Sequence, residues 1–128
     1  MISFSVEGTP IPQGSMKHIG NGRMIHSRAT ELATWRSLIA LAAKQAGCKP
    51  IDGPIIISMK FRLKRPKTVK REFPTVAPDL DKLVRGVNDG LTGVAYVDDS
   101  QIIKIATTKE YSEFTGVDIE INDGPDCI

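Results

Sequence analysis

The sequence predicts an α+β fold, a single small domain over residues 1–128 with a mixed or antiparallel sheet of about four strands and two main helices. Three observations predict it. Four short segments, 2–7, 54–63, 101–108 and 114–121, alternate in polarity or run apolar as strands do. Two longer segments, 29–46 and 79–92, repeat apolar residues at helical spacing. A length of 128 residues with 41% hydrophobic and 25% charged residues is that of one ordinary globular domain.

The elements follow in order. ISFSVE alternates apolar and polar residues and opens the chain as a strand. Residues 8–28 are rich in glycine and proline, with a turn at Asn21-Gly22, and read as a long irregular loop. The loop carries Lys17, His18, Arg23, His26 and Arg28 and no acid. It reads either as a phosphate-holding loop or as a solvated one. In 29–46, Leu32, Trp35, Ile39, Ala42, Ala43 and Ala46 form the apolar stripe, and Gly47 stands where a helix ends. Trp35 reads as core.

PIIISMKFRL is a strand buried at its start. From Lys60 to Arg71 there are seven basic residues (Lys60, Arg62, Lys64, Arg65, Lys67, Lys70, Arg71) and no acid, a pattern suited to DNA phosphates. In 79–92, Leu80, Leu83, Val84, Val87 and Leu91 face inward, and Gly86 and Gly90 permit close packing. The last two strands, with KEYSE between them, suit an antiparallel hairpin.

Composition excludes several classes. No stretch of about 18 apolar residues crosses a membrane. The N-terminus lacks a basic region followed by an apolar run, so no signal peptide is read there. Cys48 and Cys127 are isolated and form neither a disulfide framework nor a zinc motif, so a cytoplasmic setting is expected. His18 and His26 lack ligand spacing, and no phosphate-binding glycine loop or nucleophile elbow occurs. The net charge of +2 hides an asymmetry. Residues 1–71 hold 13 Lys and Arg against 3 acids, a balance of +10, and residues 72–128 hold 4 against 12, a balance of −8. Either one surface suits a polyanion while another gathers carboxylates, or folding interleaves the halves.

The acidic constellation carries the chemistry: Pro78-Asp79-Leu80-Asp81, then Arg85 and Asp89, then Asp98-Asp99-Ser100-Gln101. On a regular helix Asp79 and Asp81 would diverge. With Pro78 ahead of them, Asp79 is expected at the helix N-cap and Asp81 in the first turn, converging in front of the helix. Asp81, Arg85 and Asp89 share one polar stripe at i, i+4 and i+8. A chain reversal after Gly93 is expected to bring one member of the later aspartate pair toward the first two. Crowded carboxylates beside a basic surface suit Mg²⁺ or Mn²⁺ and phosphate chemistry. Each piece also has a bland reading: Asp79 as a helix cap, Asp98-Asp99-Ser100 as a turn.

PDLDKLVRGVNDGL followed by VAYVDDSQII resembles the RusA-type Holliday-junction resolvases, whose pattern is D-x-D-N-x-x-K-x-x-x-D-x-L and then an aromatic and D-D-x-Q. The match covers residues 78–102. The resemblance implies a homodimeric, Mg²⁺-dependent endonuclease that cuts four-way DNA junctions symmetrically. It makes Asp79, Asp81 and Asp99 the metal-binding catalytic carboxylates, and it sets Arg85 where the family has a lysine. Lys82 stands in place of the family's asparagine. DNA contacts are then expected from Lys17, Arg23 and the basic residues between Lys60 and Arg71. The other readings are a branched-DNA-binding module with little or no catalysis and a structural protein without a ligand.

Overall fold

The computed structural model describes residues 1–14 and 22–124, the side chains of 22–28 excepted. Its elements are β1 (Ile2–Glu7), α1 (Gly22–Gln45), β2 (Ile55–Leu63), α2 (Leu80–Leu91), β3 (Ile102–Tyr111) and β4 (Gly116–Asp123). A single 3₁₀ turn, Asp99–Gln101, leads into β3. The fold is α+β, with four strands in the order β1-β4-β2-β3. The sheet is mixed, since β2 and β3 run parallel and the other pairs antiparallel.

Alternation along the strands decides what the sheet buries. Ile55, Ile57, Met59 and Phe61 of β2 and Val117, Ile119 and Ile121 of β4 point into one core. Leu32, Trp35, Ile39 and Ala43 of α1 and Leu83, Val84, Val87 and Leu91 of α2 cover it. The opposite sheet face, with Ser3, Ser5, Ser58, Lys60, Thr108 and Asp118, lines a shallow open depression. Gly86 and Gly90 let α2 approach its neighbours. A Cβ on Gly86 would meet the Ile11 carbonyl oxygen at 2.7 Å, and one on Gly90 would meet the Ile39 Cβ at 2.9 Å.

Two expectations are corrected. β3 and β4 do not form a hairpin, because β2 lies between them. The reason is burial: β2 is the most continuously apolar strand, and such a strand belongs at the sheet centre. Residues 112–115 are enough to cross two strand spacings of about 4.8 Å each. The first helix begins at Gly22, not at residue 29. Residues 23–44 contain no glycine or proline. Once Leu32 and Trp35 anchor the helix, extension gains one backbone hydrogen bond for each residue fixed. Its C-terminus is as expected, with Gly47 at φ +94° and the Cys48 N–H donating to the Ala43 carbonyl at 3.0 Å.

Candidate active site and nucleic-acid interface

The two acidic blocks are held by different devices. Asp79 is the N-cap of α2, with extended backbone at φ −69°, ψ 139°, and its carboxylate accepts no capping hydrogen bond. Lys82 lies one turn on, its Nζ 3.5 Å from Asp79 Oδ2. An exposed pair of this kind contributes at most about 1 kcal/mol. Asp81 occupies the first turn, as its spacing predicts, and is exposed. Beside Asp79 opens a cleft of about 530 Å³ lined by Pro10, Pro12, Glu31, Pro78 and Lys82. Glu31 reaches it from α1, a position that spacing within the acidic motif could not reveal.

Further along α2, Arg85 is exposed and lies against Gly14, where an added Cβ would be 3.0 Å from Arg85 Nη1. Asp81 and Arg85 form no ion pair with a described residue, although they are one turn apart. Asp89 pairs with Arg36 of α1 at 3.2 Å, and Arg36 also donates to Gln13. The polar stripe therefore splits: Asp89 ties α2 to α1, and Asp81 and Arg85 face solvent.

The later acidic block is built around a capping box. Asp98 Oδ2 accepts from the Ser100 backbone N–H at 3.1 Å, and Gln101 Oε1 accepts from the Asp98 N–H at 2.8 Å. Hydrogen bonds from the Ser100 hydroxyl and from its backbone N–H hold the Asp98 carboxyl below the usual carboxylate range. Asp98 is thereby committed to structure, and Asp99, exposed at the start of the 3₁₀ turn, is the member left without a described partner. Gln101 Nε2 donates to the carbonyls of Ile51 at 2.8 Å and Gly53 at 2.7 Å, so one side chain locks the turn to the start of β2. The buried Tyr96 hydroxyl donates to Asn88 Oδ1 at 3.0 Å and fixes the same segment to the C-terminal end of α2. Burial pushes the Tyr96 phenol well up from its ordinary value, with Asp99, Asp89 and Asp98 adding to the rise.

These contacts place the blocks at opposite ends of the sheet. Asp98 to Gln101 sit at the start of β2 and β3. Asp79 sits beside the far end of β3, where Lys109 Nζ donates to the carbonyls of Val76 at 2.8 Å and Pro78 at 2.9 Å. Eight residues of strand between Ile102 and Lys109 span about 23 Å. The reversal expected after Gly93 returns the chain only to the C-terminal end of α2, and β3 then makes the journey back. Among the described residues, no group of three or more His, Cys, Asp or Glu side chains could hold a metal ion. Asp79 and Asp81 nevertheless have the donor chemistry that Mg²⁺ or Mn²⁺ takes, since such ions are commonly held by one or two carboxylates together with substrate phosphate.

The basic residues also divide. Lys60 and Arg62 stand on the open sheet face with acids beside them, Glu110 at 3.1 Å and Asp118 at 3.1 Å. Lys64, Arg65, Lys67, Lys70 and Arg71 are exposed on the loop that leads to Asp79. Tyr111 organises this loop: Arg65 lies 4.9 Å from its ring centroid, and Arg71 Nε donates to its hydroxyl at 2.9 Å. Lys17 lies outside the described residues, as does the Arg23 side chain. Lys109 and Tyr111, which hold the loop and the approach to Asp79, fall in KEYSE, which the sequence offers as a hairpin connection, whereas the structure makes them the end of β3.

The model of the family "Endodeoxyribonuclease RusA" matches residues 7–122. An uncharacterized protein of Bacillus subtilis (strain 168), YqaN, is 32% identical over 136 residues, covering 95% of this chain and 96% of that protein. The matched span includes both acidic blocks and the basic loop between β2 and α2, and the chain belongs to the RusA endodeoxyribonuclease family.

Proposed function

We propose that this protein is a divalent-metal-dependent endodeoxyribonuclease that resolves four-way DNA junctions. The observation that carries the reading is the continuity of one surface: a pinned loop with five exposed cations runs directly into the exposed carboxylates Asp79 and Asp81 at the head of α2. The loop cations hold the DNA backbone by charge, which is how nucleic-acid affinity is chiefly generated. Asp79 and Asp81 hold the ion, and Arg85, one turn further, faces the negative charge of the scissile phosphate. When bound, the ion supplies Lewis-acid polarisation and activation of water.

The third carboxylate, Asp99, belongs to this reading through a second copy of the chain. β3 is a sheet edge, and Ile103 and Ile105 are exposed on it. Its start lies beside Asp99 and its end beside Asp79. Antiparallel pairing of two β3 edges about a two-fold axis therefore brings Asp99 of one copy toward Asp79 and Asp81 of the other. A homodimer with two such sites suits paired, symmetric cuts.

The test is cleavage of a labelled four-way junction with Mg²⁺ or Mn²⁺ and in EDTA. Paired cuts with metal, and loss of cutting in Asp81→Asn by about 10³-fold with binding retained or tightened, are expected. Wild-type rates in Asp81→Asn would remove the catalytic assignment. One observation favours a second reading, a branched-DNA-binding module: Lys82 Nζ stands 3.5 Å from Asp79, where it competes with a cation. Junction binding without cutting under both metals would select it.

A further inference from the structure

Phe73 is a large aromatic ring left 59% exposed in the middle of the basic loop. Its surroundings hold it outward. Glu72, just before it, offers its carbonyl to Arg65 Nη2 at 3.3 Å. Pro74, just after it, is buried, and the Thr75 N–H donates to the Phe73 carbonyl at 2.8 Å. Arg65 and Arg71 are in turn held by Tyr111, and Lys109 secures the carbonyls of Val76 and Pro78. The backbone on both sides of Phe73 is thus tied to β3, while the ring faces solvent, six residues before Asp79.

The charge around it selects the occupant. Between residues 64 and 78 there are five cations and one acid, Glu72. A protein partner of ordinary composition offers no match for that balance, whereas a polyanion does. An aromatic ring among such cations recognises nucleic acid by stacking on a base face. In a duplex the base faces are covered by their neighbours; at a branch point or an opened end they are not.

We propose that Phe73 stacks on an unpaired or unstacked base at a DNA branch point, and so contributes selectivity for branched over duplex DNA. The inference rests on the nuclease reading for its substrate class and adds a residue that discriminates substrate shape. The backbone contacts of the neighbouring lysines and arginines serve duplex and junction alike, while Phe73 contributes only where a base face is open.

The experiment compares the full chain with Phe73→Ala, Phe73→Leu and Phe73→Trp, in EDTA, on a four-way junction carrying 2-aminopurine at the branch and on a matched duplex. Phe73→Ala and Phe73→Leu are expected to weaken junction binding about 10-fold, with duplex affinity and salt dependence unchanged. The wild type perturbs 2-aminopurine fluorescence at the branch and these two variants do not. Phe73→Trp keeps the preference, and its new indole is quenched by junction; the native Trp35 is buried and stays silent. Wild-type junction affinity in Phe73→Ala overturns the proposal. Equal weakening on junction and duplex overturns it too, as does a changed molecular mass, which would assign the ring to contact between copies. A wild type that cuts junctions once Mg²⁺ is supplied, while Phe73→Ala binds junction and duplex as the wild type does, sinks this inference alone. A wild type that binds no junction sinks the nuclease reading with it.

Discussion

Gln101 carries no charge, yet it holds the later acidic block in place. Its amide accepts from the backbone N–H groups of Val97 and Asp98 and donates to the carbonyls of Ile51 and Gly53. Gln101→Ala leaves four backbone groups short of a partner. Net loss per hydrogen bond is about 1 kcal/mol, and water reaches part of the site, so the expected cost is about 2–3 kcal/mol in chemical denaturation. Junction affinity should hold while cutting falls, because Asp99 loses its fixed position and no phosphate-facing charge changes. A variant as stable as the wild type would show that water replaces the amide fully. The same residue explains why Asp98 and Asp99 are not equivalent. Neighbours along an extended chain cannot be ranked from sequence, so resemblance alone favoured Asp99. The D-x-x-Q spacing does contain the signal, since a cap followed three residues later by Gln is a capping box.

At the scale of elements, the helix–helix and helix–loop contacts rest on small residues. Gly86→Ala sets a Cβ 2.7 Å from the Ile11 carbonyl oxygen, a backbone atom that moves only if the N-terminal loop does. The gain in helix propensity, about 1 kcal/mol, is outweighed by overpacking of about 1–3 kcal/mol. Thermal unfolding is expected to shift down by a few degrees, and an unchanged or raised midpoint would show that the loop yields freely. The basic loop makes a different prediction. Neutralising Lys64, Arg65 and Lys67 together should weaken junction and duplex binding alike and flatten the dependence of log K on log salt by about 1–3. An unchanged slope would remove the loop from the DNA surface. All four strands and α2 were legible because their apolar runs are continuous or strictly periodic. The sheet order was not, because Ile55–Leu63 finds its partners through burial across the whole chain, and no local signal in KEYSE reports which strand lies between. The start of α1 was illegible for a related reason: polar, glycine-rich flanks resemble a loop until the packed stripe at Leu32, Trp35 and Ile39 supports helix beyond it.

The whole molecule sets the arrangement of the candidate carboxylates. The contents of the acidic motif were legible, and Asp79 stands at the N-cap and Asp81 in the first turn of α2, as Pro78 and their spacing predict. Their separation from Asp99 was not, because it depends on β3 running parallel to β2 and spending its length between the two blocks. A single chain keeps those blocks apart, so the nuclease reading makes a prediction that a one-chain site would not. Mix Asp81→Asn and Asp99→Asn chains by unfolding and refolding them together, so that hybrid dimers form. If each site takes Asp79 and Asp81 from one copy and Asp99 from the other, a hybrid has one site with both substitutions and one site with none. Each variant alone is inactive, and the mixture regains nicking of one junction strand at up to about a quarter of the wild-type site density, since hybrids form about half of a random mixture and each carries one intact site of two. Paired cuts are not recovered, since the second site is dead. If all three carboxylates acted within one chain, every site in the hybrid would carry one substitution and the mixture would stay inactive. Restoration of nicking thus reports the exchange of Asp99 between copies, and its absence with both variants folded and dimeric would overturn that exchange.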